Sequence, residues 1–195
     1  MRQRTEGRQL RIQSVLSKRQ PDLTLVMDNI HDPHNVSAIL RSCDAFGVGS
    51  VHLYYTTENF PRPGRKSSAS AMKWVRLHRH SDAKEMARTL SSQSLAILGA
   101  RCSPSAVPIH TWDFSQPAAI ILGNEHSGLS PELEPYLTQE VFIPMQGMVE
   151  SFNVSVAAAI LLYEAWRQRH LLGMYDKPAM DTQTLEDLFA LWIQK

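Results

Sequence analysis

The stretch Ala118-Ala-Ile-Ile-Leu122-Gly-Asn-Glu-His-Ser-Gly128 decides the fold class. Five consecutive apolar residues leave no polar face, so a strand built from them is covered on both sides, as the strands of a parallel sheet are. The run then breaks into a polar loop bounded by two glycines, and α/β proteins bind ligands beyond the carboxyl ends of such strands. The pattern repeats on either side. Leu23-Thr-Leu-Val-Met27, Ser50-Val-His-Leu-Tyr-Tyr55, Trp74-Val-Arg-Leu-His78, Leu95-Ala-Ile-Leu98 and Val141-Phe-Ile-Pro144 read as further short strands. Helical spacing predicts helices from Asn35 to Phe46, from Asp82 to about Leu90 and from Asn153 to Arg169, with Asn35 the expected N-cap of the first. A short helix starts at Ser130-Pro131. A basic helix over residues 3–19 and an amphipathic one over Thr184–Ile193 flank the alternation. The expected architecture is one α/β domain, a parallel sheet covered by helices, with a helix added at each end.

With 195 residues, 43% of them hydrophobic, the chain can fill one sizeable core, which excludes disorder over most of its length. No apolar run approaches the ~20 residues that cross a bilayer, and Met1-Arg-Gln-Arg-Thr-Glu6 predicts no secretory signal. Cys43 and Cys102 lie far apart, which excludes a disulfide scaffold or zinc ribbon and makes a reducing cytoplasm the expected location. A formal net charge of +1 hides a segregated distribution. Residues 1–20 carry Arg2, Arg4, Arg8, Arg11, Lys18 and Arg19 against Glu6 alone, and residues 61–80 carry Arg62, Arg65, Lys66, Lys73, Arg76 and Arg79 with no acid. Two such clusters suit a phosphate backbone.

The common nucleotide and hydrolase fingerprints are missing. Gly47-Val-Gly49-Ser-Val-His52 lacks the third glycine of the dinucleotide pattern, and there is neither a phosphate-binding P-loop nor a nucleophile elbow. His31, His34 and Cys43 fit no common zinc spacing, so no metal is expected. Three segments do carry polar chemistry next to strand ends. In His34-Asn35-Val-Ser-Ala-Ile-Leu-Arg41 an asparagine and an arginine open a helix, where the bland reading is a cap and an exposed cation. In the 121–130 segment Glu125, between two glycines, is either a cap for the next helix or a site carboxylate. In residues 143–160 a tight loop delivers Ser151, Asn153 and Ser155 to a helix whose Ala157, Ala158 and Ala159 permit close backbone approach.

In this order and spacing the three segments resemble the SpoU/TrmH class of the SPOUT methyltransferases, which use S-adenosylmethionine. Arg19-Gln-Pro-Asp-Leu-Thr24, Arg167-Gln-Arg169 and Gly173-Met-Tyr175 resemble its tRNA-methylating branch in particular, and the likeness covers nearly the whole chain. The resemblance implies a SPOUT parallel sheet with a deep C-terminal trefoil knot over about residues 118–165. It implies a homodimer, with a methyltransferase domain over 21–172 and helical extensions over 1–20 and 173–195. The implied reaction is methyl transfer from S-adenosylmethionine to the ribose 2'-OH of guanosine 18 in the tRNA D-loop. No metal is implied, because the methyl group already sits on a cationic sulfonium.

Residue by residue, cofactor positions carry over to Ala100, Gly123, Ile143, Met145 and Phe152, although the class commonly has Thr at the first and Leu at the last. Catalytic positions carry over to Arg41, Asn35, Ser151, Asn153 and Glu125. Arg41 is central, as a base or as a clamp on the phosphate and developing alkoxide, next to the other subunit's cofactor. A guanidinium keeps its charge at neutral pH, which weighs against the base. RNA contacts carry over to Arg8, Arg11, Arg19, His34, Arg167 and Arg169. Glu150, where the tRNA branch usually has Gln, and the basic loop over 62–73 depart from the pattern. They keep two alternatives in view: an rRNA ribose 2'-O-methyltransferase of the same class, and a non-catalytic RNA-binding protein with this fold.

Overall fold

A computed structural model of the chain describes residues 5–61 and 71–195. The strands are β1 (Leu23–Asp28), β2 (Ser50–Tyr54), β3 (Arg76–His80), β4 (Ala96–Ala100), β5 (Val107–Pro108), β6 (Ala118–Leu122) and β7 (Gln139–Phe142). The helices are α1 (Glu6–Leu16), α2 (Pro33–Ala45), α3 (Ala83–Ser92), α4 (Val154–Leu171) and α5 (Thr182–Trp192). One sheet runs in the order β3-β2-β1-β6-β4-β7-β5, and every neighbouring pair is parallel. In its middle Leu25 faces Val51 on one side and Ile120 on the other. From β1 the chain goes outward to β2, whereas from β6 it goes the other way, past β4, to β7. The carboxyl ends of β1 and β6 therefore flank a topological switch point, where open parallel sheets form a crevice.

The sheet is buried on both faces. Ile39, Leu40 and Cys43 of α2 meet Ala158, Leu161, Leu162 and Ala165 of α4 over Leu25, Met27 and Ile120. On the other face Met86, Ala87 and Leu90 of α3 cover Val26, Ile97, Ala119 and Ile121. A terminal layer forms where Ile12 and Leu16 of α1 pack on Trp192, Leu185 and Leu188 of α5, with Trp74 against them.

Several boundaries differ from expectation for local reasons. Asp32, not Asn35, caps α2, accepting from the His34 N–H at 2.8 Å, with Pro33 at the first turn; proline's fixed φ suits that position. Strand β3 starts at Arg76 because Trp74 is held in the terminal layer, its ring 4.8 Å from that of Trp192. Strand β7 lies two residues early, and α5 starts at Thr182 behind the cap Asp181. The turn after Ser130 is a 3₁₀ helix over Pro131–Tyr136, which contains Pro135; proline there removes a donor that an α-helix needs. The two-residue β5 had no sequence signal.

Candidate functional site

At the carboxyl end of β6 the chain folds back on itself. The Asn124 N–H donates to the Gly128 carbonyl (2.9 Å) and the Gly128 N–H to that of Asn124 (3.0 Å). A Cβ on Gly123 would lie 2.4 Å from the carbonyl carbon of Gly128, and Gly128 itself has φ +73°. Side chains are thus excluded at the first position by contact and disfavoured at the second by conformation. The side-chain Oδ1 of Asn124 accepts from the N–H groups of His126 (2.9 Å) and Ser127 (3.1 Å), while its side-chain amide donates to the backbone oxygen of Asn29 (2.6 Å).

Asp28 and Asn29, at the end of β1, form a hub that sequence reading missed. Asn29 adopts φ +49°, and its Oδ1 accepts the N–H groups of Thr56, Thr57 and Glu58 at 2.9, 3.1 and 3.3 Å. The buried Asp28 carboxylate accepts from the Ser130 N–H (2.6 Å) and hydroxyl (2.7 Å). Burial pushes the Asp28 pKa up, and the donors of Ser130 and Asn29 only partly oppose it. An Asp-Asn pair directly after an apolar run was the available signal, since asparagine tolerates positive φ and its side chain mimics a turn.

Three distant segments meet in one chain of hydrogen bonds. Glu125 Oε2 accepts from the His31 N–H (3.1 Å), and its Oε1 from the Asn35 amide (2.7 Å). The Asn35 oxygen accepts from the Asn153 amide (3.1 Å). The Asn153 oxygen caps α4 through the Ser155 N–H (2.9 Å) and hydroxyl (2.6 Å). Burial raises the Glu125 pKa, but the Asn35 amide and nearby backbone N–H groups outweigh it, and the net shift is downward. Glu125 is therefore an ionised acceptor at neutral pH, suited to ordering the loops rather than to giving up a proton.

Beside this chain lies a cleft of about 570 Å³ over the ends of β4, β6 and β7. Ala100, Gly123, Ile143, Met145 and Phe152 all line it, together with Ser151, Asn153 and Glu125. Its apolar wall also includes Leu122, Leu129, Val141 and Leu161, and its rim Arg101 and Cys102. Arg101 anchors that rim to Glu134 (2.6 Å) and Glu140 (2.5 Å). The hydroxyls of Ser103 and Ser105 also donate to Glu140 and, ahead of Arg101, hold its pKa low. Arg41 does not line this cleft: it is exposed on α2 and has no hydrogen bond or ion pair among the described residues.

The expected RNA-contacting residues divide. Arg8, Arg11 and His34 are exposed. Arg167 is half-buried and grips Glu164 through two bonds of 2.9 and 2.7 Å. Arg19 and Arg169 require a correction, because neither offers a surface cation. Arg169 is 0% exposed and bonds Asp22 (2.5 Å), Gln20 (3.0 Å) and the backbone oxygens of Phe114 and Gln116. Arg19 is 3% exposed and bonds Asp44 (2.5 Å) and the Val48 oxygen (2.9 Å). Both tie the terminal segments to the sheet. A buried charge persists only when paired in this way. Among the described residues no helix is long and apolar enough to cross a membrane, and no group of three or more His, Cys, Asp or Glu could hold a metal ion.

The chain is similar to known proteins in sequence and in fold. The model of the SpoU rRNA Methylase family matches residues 22–163. A tRNA (guanosine(18)-2'-O)-methyltransferase of Thermus thermophilus is 42% identical over 195 residues, 100% of both chains. The crystal structure of an Aquifex aeolicus TrmH/SpoU tRNA modifying enzyme superposes with a TM-score of 0.90 at 33% identity, covering 97% of this chain and 96% of that one. An AdoMet-bound rRNA methyltransferase from Sinorhizobium meliloti gives a TM-score of 0.69 at 25% identity, covering 82% of this chain and 60% of its own.

Proposed function

The chain belongs to the SpoU methylase family, and we propose that it transfers a methyl group from S-adenosylmethionine to the ribose 2'-OH of guanosine 18 in tRNA, working as a homodimer. The observation that carries the reading is the convergence of Ala100, Gly123, Ile143, Met145 and Phe152 on one cleft, along whose rim runs the Glu125–Asn35–Asn153 chain. The cleft suits the methyl donor. Its wall is apolar enough for an adenine ring and a methionyl chain, and at Gly123 any side chain would collide with the folded loop. Identity to the Thermus enzyme spans both terminal extensions, which favours tRNA over rRNA as substrate. We read residues 118–165 as the knotted segment.

The bound donor supplies a methyl group on a sulfonium, so the protein's tasks are to align the ribose hydroxyl and manage its proton. Arg41, exposed and unpaired among the described residues, is placed to grip a substrate phosphate and stabilise the alkoxide as it forms. Asn35 and Asn153, fixed to one another and to ionised Glu125, present oriented polar groups to the ribose, with Ser151 beside them. Because Arg41 does not line its own chain's cleft, we assign it to the cleft of a second copy. A neighbouring apolar surface fits that arrangement: Met148, Val149, Phe152, Val156 and Tyr163 are all exposed. Arg8, Arg11 and His34 then meet the RNA backbone and supply affinity and register.

The test is transfer of labelled methyl from S-adenosylmethionine to unmodified total tRNA and rRNA, with the product located by nuclease mapping. Label belongs at the D-loop guanosine. Arg41→Ala is expected to lose about a hundredfold or more of it, the scale of removing one charge-stabilising donor, while still binding the methyl donor. Label found only in rRNA would overturn the substrate, and no label from a folded dimer that binds the donor would overturn the activity.

A further inference from the structure

A second cleft, of about 550 Å³, opens at the other end of the sheet between α1, α5 and β3. Gly49 and Ser50, at the amino end of β2, and Arg76, at the amino end of β3, line it. The strands are parallel, so it lies a strand's length from the methyl-donor cleft. Trp74 and Trp192, in contact with centroids 4.8 Å apart, form its apolar wall with Leu188 and Leu191, the last 45% exposed. Its charged side chains are all cations, of which Arg19 is already paired with Asp44. Arg19, Arg76 and Lys195 line it, and no Asp or Glu does.

The cations are arranged around the aromatic pair. Lys195 Nζ lies 5.9 Å from both ring centroids, and the Arg19 guanidinium 5.2 Å from that of Trp192. Arg76 makes no ion pair among the described residues. Burial first, and then the charge of Arg76, lower the Lys195 pKa. Arg19 Nε is buried with no hydrogen-bond partner, although the other nitrogens of that group are engaged.

We propose that this cleft is a second RNA subsite, which takes one unstacked nucleotide of the substrate with its base against Trp74 and its phosphate between Arg76 and Lys195. It rests on the tRNA reading above and joins Arg76, from the basic 61–80 cluster, to Trp74 and Lys195, which sequence reading did not single out. Lys195 Nζ donates to the Lys73 backbone oxygen, and neither it nor Arg76 has a carboxylate partner among the described residues. An aromatic wall beside such cations is how proteins hold single-stranded nucleic acid, the ring taking any base face and the cations the backbone. An acidic peptide would answer the charge but leave the aromatic wall without a use. The exposed Arg8 and Arg11 on α1 extend the same terminal layer with further positive charge.

The test measures tRNA binding by filter retention at several salt concentrations. It compares wild type, the double variant Arg76→Ala/Lys195→Ala, Trp74→Ala and Trp74→Phe. The double variant should bind tRNA about tenfold more weakly, with the slope of log affinity against log salt reduced by about 1 to 2. Trp74→Ala should weaken binding and Trp74→Phe restore most of it. S-adenosylmethionine affinity and melting temperature should stay at wild-type values in the double variant, which shows that the fold stands. A wild type that methylates tRNA alongside a double variant with unchanged tRNA affinity and salt slope would overturn the subsite alone. If that variant had instead lost binding of free nucleoside monophosphate, the cleft would belong to a free nucleotide, and the RNA proposal would again be overturned. A wild type that binds S-adenosylmethionine but neither binds nor methylates tRNA would sink the functional reading and the subsite together.

Discussion

Both ends of the Asn35 amide are engaged, one by Glu125 and the other by Asn153, so this side chain joins segments that lie 90 and 118 residues away. Its replacement tests whether the junction orients the reaction or merely braces the loops. Asn35→Ala leaves two polar partners unmatched, at a cost of about 1–3 kcal/mol if they stay dry; methyl transfer should fall more steeply than stability. Asn35→Asp should do worse, because it sets a second carboxylate 2.7 Å from that of Glu125. Kinetics and thermal melts of the pair decide it, and a fully active Asn35→Asp enzyme would remove the chain from the working site. The sequence marked Asn35 as chemically interesting but gave it the wrong local task. It read as a helix cap because asparagine favours that position, whereas Asp32 followed by Pro33 claims the cap and frees Asn35 to reach across. Asp28 and Asn29 stayed hidden for a related reason: their partners at Thr56, Thr57, Glu58 and Ser130 come from elsewhere in the chain, and no local pattern records them.

At the scale of elements, β2 and β3 carry a histidine cluster that sets a pH limit on the fold. His52 stands opposite His78 in register, its ring 4.8 Å from that of His78 and 5.1 Å from that of His80, with a 2.9 Å Nδ1···Nε2 contact to His80. Burial first, then the neighbouring His78 and His80, push the His52 pKa down to about 3; burial also lowers those of His78 and His80. The unfolded chain binds these protons near the ordinary value of 6.5, so the stability they contribute is complete above that pH and is lost as pH falls from 6.5 towards 3. For His52 alone the loss by pH 5 is about 2 kcal/mol. Urea unfolding at pH 7.5 and pH 5 should show it, and His52→Gln should flatten the dependence; an equal loss in that variant would place the acid sensitivity elsewhere. This strand pair also shows how far the fold was legible. The continuous apolar runs of β1 and β6 announced buried parallel strands, but Arg76-Leu-His-Arg-His80 has no such run, and the more apolar Trp74 and Val75 drew the reading two residues early. Strand order was beyond any local pattern. It is made by pairings such as Leu23 with Ala118, whose register no window of sequence contains.

At the scale of the whole molecule, Arg41 and the cleft, to which the proposed function assigns the reaction, do not adjoin within one chain. The cleft holds Ala100, Gly123, Ile143, Met145 and Phe152 but not Arg41, while Met148, Val149, Phe152, Val156 and Tyr163 expose apolar side chains in the loop and helix that follow β7. A second copy placed on that surface removes apolar area from water, which stabilises the pair by roughly 25 cal/mol per Å². In the homodimer proposed above, that copy would also bring its Arg41 to the first copy's cleft. Two variants separate this arrangement from a self-sufficient chain. Arg41→Ala keeps the cleft and loses the clamp; Ala100→Trp keeps the clamp and fills the cleft. Each homodimer should be nearly inactive. Random mixing of the two by co-refolding makes about half of all dimers mixed, and each mixed dimer has one intact cleft facing one intact Arg41. Recovered activity should then approach about a quarter of wild type. Val156→Lys, placed on the apolar surface, should shift the protein towards monomer in sedimentation and lower methyl transfer in parallel. Mixed dimers that form and recover nothing would return Arg41 to its own chain's cleft. An active monomer would strip the apolar surface of its catalytic meaning.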